Sequence, residues 1–471
     1  MTGRLLHYDL REAYIDAAKG LTDSIADPVD LRILSILAGG GISVDEDRLA
    51  STLGLRRVPA AERPLAIAES LQRSILDLGL AEVAELEHAL LPILGSMMAR
   101  GVGVDHRGWA QLCAKRASAR LELGRVITRD LSVRDPSDMG RVLAALRRRG
   151  LAANGVGKDA LAEYRGDRLV EQVIKYNALT AFQHDGEINL ERAIRQDDDG
   201  RVRAKIDSLG TETGRFTTRA PNLLGLEKAD EIRRCIVAAP GHVLVATDVK
   251  SAELRVLAAV CGEERLIDVF LKGADPHTTT AAALFGIAEC SVTPAQRGLG
   301  KSTNFAIVFG GKAEGIASFA TASGQKLAVS DAQEHYDSFL SAYPRIADYL
   351  DTDGKDLSSA TSLLGRIRRF DRPNIPAWLN APIQMSAADG IKLSMIAIAL
   401  QIAKYDAYIL LPVHDELLVE APIEHAATVA KIVRDSMVDQ FEYLCGGVVP
   451  FAVDQYFGPT WAKADATWRL A

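Results

Sequence analysis

The spacing of apolar and polar positions changes several times along the chain. Up to about residue 96, LRILSILAGG and LAIAESLQRSILDLGLAEVAELEHALLPILGSMMARG repeat apolar residues three and four apart, the period of helices that bury one face. Gly101-Val-Gly-Val-Asp105 interrupts that pattern, and Asp197-Asp-Asp-Gly200 is a turn signal. RVRAKIDSL then alternates like a strand, and TETGRFTTRAPNLLG reads as a polar loop. GHVLVATDVKSAELRVLAAV predicts an apolar strand over His242 to Thr247, ending at Asp248 and leading into a helix. Residues 263 to 350 read as helices broken near Gly273, Pro294 and Gly310. Pro382 to Tyr405 is helix-like, and AYILLPVHDELLVEAP gives two short strands around His414-Asp415. The expectation is an α/β (α+β) protein with several helical lobes.

Composition narrows the class without changing that picture. A chain of 471 residues allows about three domains. Its 48% hydrophobic and 25% charged residues exclude wholesale disorder, collagen-like repeats and disulfide-stapled miniproteins. Cys113, Cys235, Cys261, Cys290 and Cys445 are scattered without metal-ligand spacing, which argues against zinc and disulfides and fits a reducing cytoplasm. The first residues lack a signal peptide's apolar core, and no uncharged apolar stretch of about 18 residues occurs, so no membrane partner is expected. The net charge of −7 hides a local excess: Arg107 to Arg149 holds eleven Lys and Arg against four acids. That run is either a solvated helix face or a contact for a phosphate backbone.

Two carboxylates stand out. Asp248 ends an apolar strand and Asp415 sits at a hairpin tip between His414 and Glu416. If the strands adjoin, the like charges raise each other's pKa unless a cation neutralises them, and an oxygen-only ligand set favours Mg²⁺. Two such ions about 4 Å apart form a clamp for phosphoryl transfer. A second candidate is TPAQRGLGKSTNFAIVFGG, where Arg297, Lys301, Phe305 and Phe309 recur every four residues. On a helix each step rises about 6 Å, so the four lie roughly on one face, with cations for phosphates and rings for a sugar and base. Gly300-Lys301-Ser302 also resembles the end of a P-loop, but Ala295 occupies the required first glycine and Pro294 replaces the feeding strand.

Taken in order, these segments resemble the bacterial DNA polymerase I family, family A. Thr211 to Asn222 is similar to the template-primer loop, with Arg215 at its arginine. Asp248 to Arg255 resembles motif A, which implies Asp248 as a metal ligand and Glu253 as the steric gate. Asp275-Pro-His277 resembles the family's D-x-H, implying a triphosphate contact from His277. Arg297, Lys301 and Phe305 match motif B, with Phe309 standing where the family usually has Tyr. Val413 to Glu416 matches motif C, implying Asp415 as the second metal ligand and His414 beside the DNA. Asn380-x-Pro-x-Gln384, followed by Ala387-Ala388-Asp389, resembles the minor-groove-reading helix, and Pro450 through Gly458 to Trp461 the C-terminal end.

The resemblance covers roughly residues 80 to 471 and implies a right-hand fold: thumb 97–200, palm 201–262 and 376–471, fingers 263–375. It also implies DNA-directed DNA polymerase activity on primer-template DNA and dNTPs with two Mg²⁺ ions, by a monomer in the bacterial or phage-infected cytoplasm. Lys301 would offset triphosphate charge and protonate the departing pyrophosphate. Departures accompany it. Leu224, Gly225 and Glu227 interrupt the template-primer loop, Phe309 deprives Glu253 of a phenolic partner, and only fifteen residues separate Gly365 from Asn380, a phage-like shortening. Residues 1–96 resemble the later part of a 3′ to 5′ exonuclease domain, with Asp9 and Asp30 at family positions and Glu69 where an Asp is expected. The first D-x-E would lie before Met1, so this segment is expected to be an inactive remnant without proofreading. Two competing functions remain: a P-loop-type ATPase using Gly300-Lys301-Ser302, and a catalytically inactive DNA-binding relative.

Overall fold

A computed structural model describes residues 6–7, 10–19, 29–39, 46–55, 58–59, 62–158, 160–182, 188–325 and 327–469. At its centre lies a five-stranded antiparallel sheet, ordered Tyr408–Val413, Glu416–Pro422, His242–Val249, Val453–Gly458 and Trp468–Arg469. Helices cover both faces of its middle strands, which is why HVLVA is a continuous apolar run. Val245, Val249, Leu417, Val419 and Ala421 share one core with the helices Ala252–Cys261, Ile375–Ile402 and Ala426–Leu444. The alternate residues Leu244, Ala246 and Leu418 pack on the other face with Trp109, Phe182, Ile232, Tyr456 and Trp461. Each fully buried Val or Leu stabilises this sandwich by roughly 1.5–3 kcal/mol.

Residues 264–350 form six helices, as expected: Glu264–Leu271, Pro276–Phe285, Pro294–Val308, Ala313–Ala322, Val329–Ala342 and Pro344–Leu350. Local chemistry sets their ends. Asp275 caps Thr278 N, Thr293 and Gln296 form a reciprocal capping box, and Gly286 closes the 276–285 helix in the left-handed region at φ 63°. On the other side of the sheet, the N-terminal end of the helix His106–Leu131 joins the core of Leu244, Ala246 and Leu418 through Trp109 and Leu112. Its C-terminal end packs with Met139–Arg148 and Arg168–Ala181 around a separate core of Ile127, Leu131, Val142, Leu146, Val170 and Val173.

The N-terminal lobe is helical, as its periodicity requires, with a small parallel pair of strands, Leu6–His7 and Val29–Asp30. Residues 81–100 run as one helix across the expected division at 96/97. Asp9 lies outside the described residues. Asp30 is buried, and its carboxylate accepts the backbone N–H groups of Leu10 (2.8 Å) and Ile33 (3.0 Å), so it caps the helix Leu31–Ala38. Glu69 is exposed on the helix Arg63–Asp77.

Three local expectations change. RVRAKIDSL divides into Arg201–Val202 and Lys205–Asp207, and the latter pairs with Thr217–Arg219 inside the stretch read as loop. Three residues are too few to display a period of two. The helix expected from Pro382 starts at Ile375, after Asn374 caps Ala377 N, and carries Pro382 within it. Ile375–Tyr405 is also long and apolar enough to cross a membrane, yet 67% of its most apolar window is buried inside the protein. Its apolarity serves the core.

Candidate active site

The sheet register brings three carboxylates together. Asp248 lies opposite Glu416 on one side and Asp454 on the other, and opposed residues of neighbouring strands share a face. Asp415 joins them from the two-residue turn between Val413 and Glu416, where His414 takes φ 57°. Its carbonyl accepts the Val249 N–H at 3.1 Å, tying the turn to the end of the central strand.

The four acids do not have equal surroundings. Glu416 is buried; its carboxylate takes a 2.9 Å ion pair from Arg233 and a 2.7 Å hydrogen bond from Trp461 Nε1. Asp454 pairs with Lys463. Among the described residues, no hydrogen bond compensates Asp248 or Asp415. Asp248 keeps one side open to solvent and Asp415 is half-buried, but protein crowds the rest of each. Lost hydration, then Glu416 and Asp415, push the Asp248 carboxyl up to about 7. Lost hydration and Glu253 push Asp415 up to about 6, against the pull of Arg215 and Lys228. Among the described residues no three His, Cys, Asp or Glu side chains converge into a ready-made metal cage. A pair of uncompensated carboxylates instead fits a divalent ion that takes one or two protein carboxylates and completes its shell with water and phosphate.

The helix Pro294–Val308 carries Arg297 and Lys301 exposed and Phe305 half-buried. Phe309 is the C-cap of that helix, its N–H bonding Phe305 O at 3.1 Å, and its ring stacks on Phe319 at 5.9 Å. Arg297 is held by Asp275 at 2.7 and 3.1 Å, so an anionic ligand would have to exchange with that carboxylate. Burial alone would raise Asp275, but Arg297 and the Thr278 hydrogen bonds outweigh it and bring Asp275 down to about 2. His277 is buried, stacks on Phe305 at 6.1 Å, and is lowered by burial to about 4. The Asn304 amide nitrogen lies 3.0 Å from His277 Nδ1, and Asn304 Oδ1 accepts from Thr280, so Nδ1 is the acceptor. The neutral ring therefore carries its proton on Nε2, a donor suited to a phosphate oxygen.

Gly300 excludes the P-loop arrangement. It sits inside the 294–308 helix, and a Cβ there would lie 2.4 Å from His277 O and 2.9 Å from Ala281 N. The glycine exists so that the 276–285 and 294–308 helices can touch, and Ser302 is buried in the same helix. Neither strand nor loop surrounds Lys301.

Glu253, on the first turn of the 252–261 helix, receives Arg215 Nη2 at 2.5 Å. The side chain expected to act as the gate, without a phenolic partner from Phe309, is thus held by an arginine expected at the DNA. Asn222 is exposed, its Oδ1 accepting from Thr218 and Gly225 N. Asn380 is buried with Oδ1 unpartnered, and Gln384 lies half-buried one turn along. His414 is exposed and kept below its ordinary pKa by lost hydration, with Lys228 and Arg215 adding to it. Several members of the basic run have partners: Arg116 is buried between Glu227 (2.9 Å) and Glu231 (2.5 Å), Arg129 pairs with Asp130 and Arg141 with Asp138, whereas Arg107, Arg125, Arg134 and Arg148 are exposed. Sequence reasoning missed Arg233, Asn304 and Lys228. The Arg233 and Asn304 contacts cross 183 and 27 residues, and no local pattern announces them.

Comparison with known proteins agrees with this geometry. The sequence model of DNA polymerase family A matches residues 114–463. DNA polymerase I of Geobacillus stearothermophilus is 30% identical over 459 residues, covering 89% of this chain and 50% of the relative. The thermostable DNA polymerase I of Thermus aquaticus is 30% identical over 417 residues, covering 81% and 48%. The chain thus spans about half the length of these relatives. The fold matches a structure of the POL domain of Pol1 from M. smegmatis, in complex with DNA primer-template and dNTP, with a TM-score of 0.84 at 24% identity, over 95% of this chain and 84% of that one. A family match across most of the chain, on a right-hand fold with the expected carboxylates at adjacent strand ends, gives one conclusion: this chain belongs to DNA polymerase family A.

Proposed function

We propose that this protein is a template-directed DNA polymerase that adds dNTPs to a primer 3′-hydroxyl. The observation that carries the reading is the uncompensated pair Asp248 and Asp415, brought to adjacent strand ends with Glu253 acting on Asp415. Asp248 and Asp415 hold the divalent ions, with two Mg²⁺ as the expected occupants. When bound, such ions supply Lewis acidity that activates the attacking hydroxyl and stabilises the leaving oxygen. Lys301, exposed on the fingers helix, offsets triphosphate charge and donates a proton to the departing pyrophosphate. His277 donates from Nε2, and Arg297 trades Asp275 for a phosphate. Phe305 stacks beside the sugar, and Glu253 excludes a 2′-hydroxyl. Arg215, Asn222, Asn380, Gln384 and His414 line the primer-template, and the exposed arginines of 107–149 clamp its backbone.

In this reading the palm is 201–262 with 376–471, the fingers 263–375 and the thumb 97–200. The protein acts as a cytoplasmic monomer. The N-terminal lobe is structural and does not proofread, a reading supported by Asp30, whose carboxylate is taken by two backbone N–H groups. The inactive-relative alternative is opposed by Asp248, Asp415, Arg297 and Lys301 all being present.

Primer extension with Mg²⁺ tests the proposal. Wild-type protein should extend a primed template, and Asp248→Ala or Asp415→Ala should abolish extension while retaining DNA binding. A mutant keeping more than about a tenth of the wild-type rate would reject the metal assignment, since losing the ions costs several kcal/mol. Wild-type protein that binds primed DNA but never extends it would favour the inactive relative.

A further inference from the structure

The template-primer loop rests on a buried ionic group that reaches into the N-terminal lobe. Arg366 is 2% exposed and donates to Asp389 at 2.9 and 2.7 Å and to Glu87 Oε1 at 2.6 Å. Lys392, fully buried, also donates to Glu87 Oε1 and reaches Ser208 O at 2.9 Å. Ser362 Oγ donates to Asp389 at 2.9 Å. Two cations and two carboxylates therefore neutralise one another away from water. Glu87 stands on the helix Ala81–Arg100, and its Oε2 is buried without a partner. Apolar residues of similar volume would serve stability as well, so such a group is explained by what it holds in place.

What it holds is the Arg215 loop, at two points, and the neighbouring Arg368 adds a third from the exposed side. Gly214, at φ 71°, lies directly on Arg366: a Cβ there would come within 3.0 Å of Nε. Phe216 lies under Lys392, whose Nζ is 5.6 Å from the ring centre. Glu212 is gripped by Arg368 at 2.5 Å. Arg215 stands between Gly214 and Phe216 and extends to Glu253. With the backbone held on both sides, the arm that carries the guanidinium to Glu253 starts from a fixed base.

We propose that Glu87 is a positioning residue for sugar selection: through Arg366 and Lys392 it fixes the 211–217 loop, and through Arg215 it holds the Glu253 gate. The N-terminal lobe thereby contributes to substrate choice. This rests on the polymerase reading above.

The test compares kcat and KM for single dNTP and rNTP additions on one primed template with Mg²⁺, for wild type, Glu87→Gln, Glu87→Asp and the exposed neighbour Glu85→Gln. The Glu87→Gln variant should lower selectivity for dNTP over rNTP about fivefold or more, chiefly through a lower rNTP KM. Glu87→Asp should lose less, and Glu85→Gln nothing. In a Glu253→Ala background the gate is already gone, so Glu87→Gln should cause no further loss. Unchanged selectivity in Glu87→Gln, or full additivity with Glu253→Ala, would overturn the proposal even where the melting temperature falls. Should Glu87→Gln not fold, Glu212→Gln loosens the same loop from its exposed side and is read the same way. Wild-type protein that extends with neither nucleotide would instead defeat the polymerase reading, a separate result.

Discussion

The substitution Glu416→Gln separates the structural carboxylate from the two assigned to metal. Glu416 and Arg233 are 7% and 13% exposed, and the Arg233 guanidinium also lies 4.1 Å above the Trp461 ring. Removing one charge from a buried pair strands the other, at a cost of about 3–5 kcal/mol. The amide still accepts from Trp461, which keeps about 1 kcal/mol, and relief of Asp248 returns less than about 1 kcal/mol because the one side that carboxylate keeps open to solvent screens the interaction. The expected net loss is about 2–4 kcal/mol. Denaturant unfolding followed by tryptophan fluorescence measures it, since Trp109 and Trp461 both lie in the core beneath the sheet. At the same time the Asp248 carboxyl should titrate lower than about 7, because its second-largest perturbation is gone. By contrast, Asp454→Asn breaks a pair that is 40% and 46% exposed and should change stability by less than about 0.5 kcal/mol. A Glu416→Gln loss below about 1 kcal/mol would refute the reasoning, for it would mean that Arg233 and Glu416 behave as a surface pair.

Three further outcomes are expected. Without divalent ions, Asp248 keeps its proton to about pH 7 when folded but loses it near 3.9 when unfolded, so the folded state binds more protons between those values and stability falls as pH rises through that window; Mg²⁺ should therefore raise the melting temperature more at pH 8 than at pH 5, Asp248→Asn should shrink the difference to the share left by Asp415, whose carboxyl lies at about 6, and an equal shift at both pH values in the wild type would disprove the linkage. Gly300→Ala forces a methyl against His277 O, a backbone atom that cannot step aside, and should cost about 1–3 kcal/mol and raise the dNTP KM; wild-type stability and KM together would show that the helix contact is looser than described. Phe305→Tyr, which keeps the ring against His277, should relax discrimination against dideoxynucleotides by roughly ten- to hundredfold, the worth of one hydrogen bond to a charged group, in a ddNTP-against-dNTP competition; an unchanged ratio would mean that Phe305 does not meet the sugar.

The sequence by itself determined what depends on local period and on motif chemistry. The run HVLVA followed by Thr-Asp, and His-Asp between two apolar runs, specify a strand end and a hairpin tip, because burial on both faces and a two-residue turn leave those marks in any register. The four-residue spacing of Arg297, Lys301 and Phe305 likewise places them along one helix. Only the tertiary structure decided how the charges are shared out. Glu416 and Asp415 are adjacent in sequence, yet one is committed to Arg233 and Trp461 while the other is left uncompensated. Arg215 grips Glu253 and Arg297 grips Asp275, pairings that no local pattern announces. Gly300 could resemble part of a phosphate loop because a glycine needed for helix contact and one needed for a turn are the same letter. Phe309 kept the four-residue spacing but fell beyond the helix end, which spacing cannot mark. In each case the deciding partner comes from a distant segment, and its distance and burial, which set the strength of a charge interaction, exist only once the chain has folded.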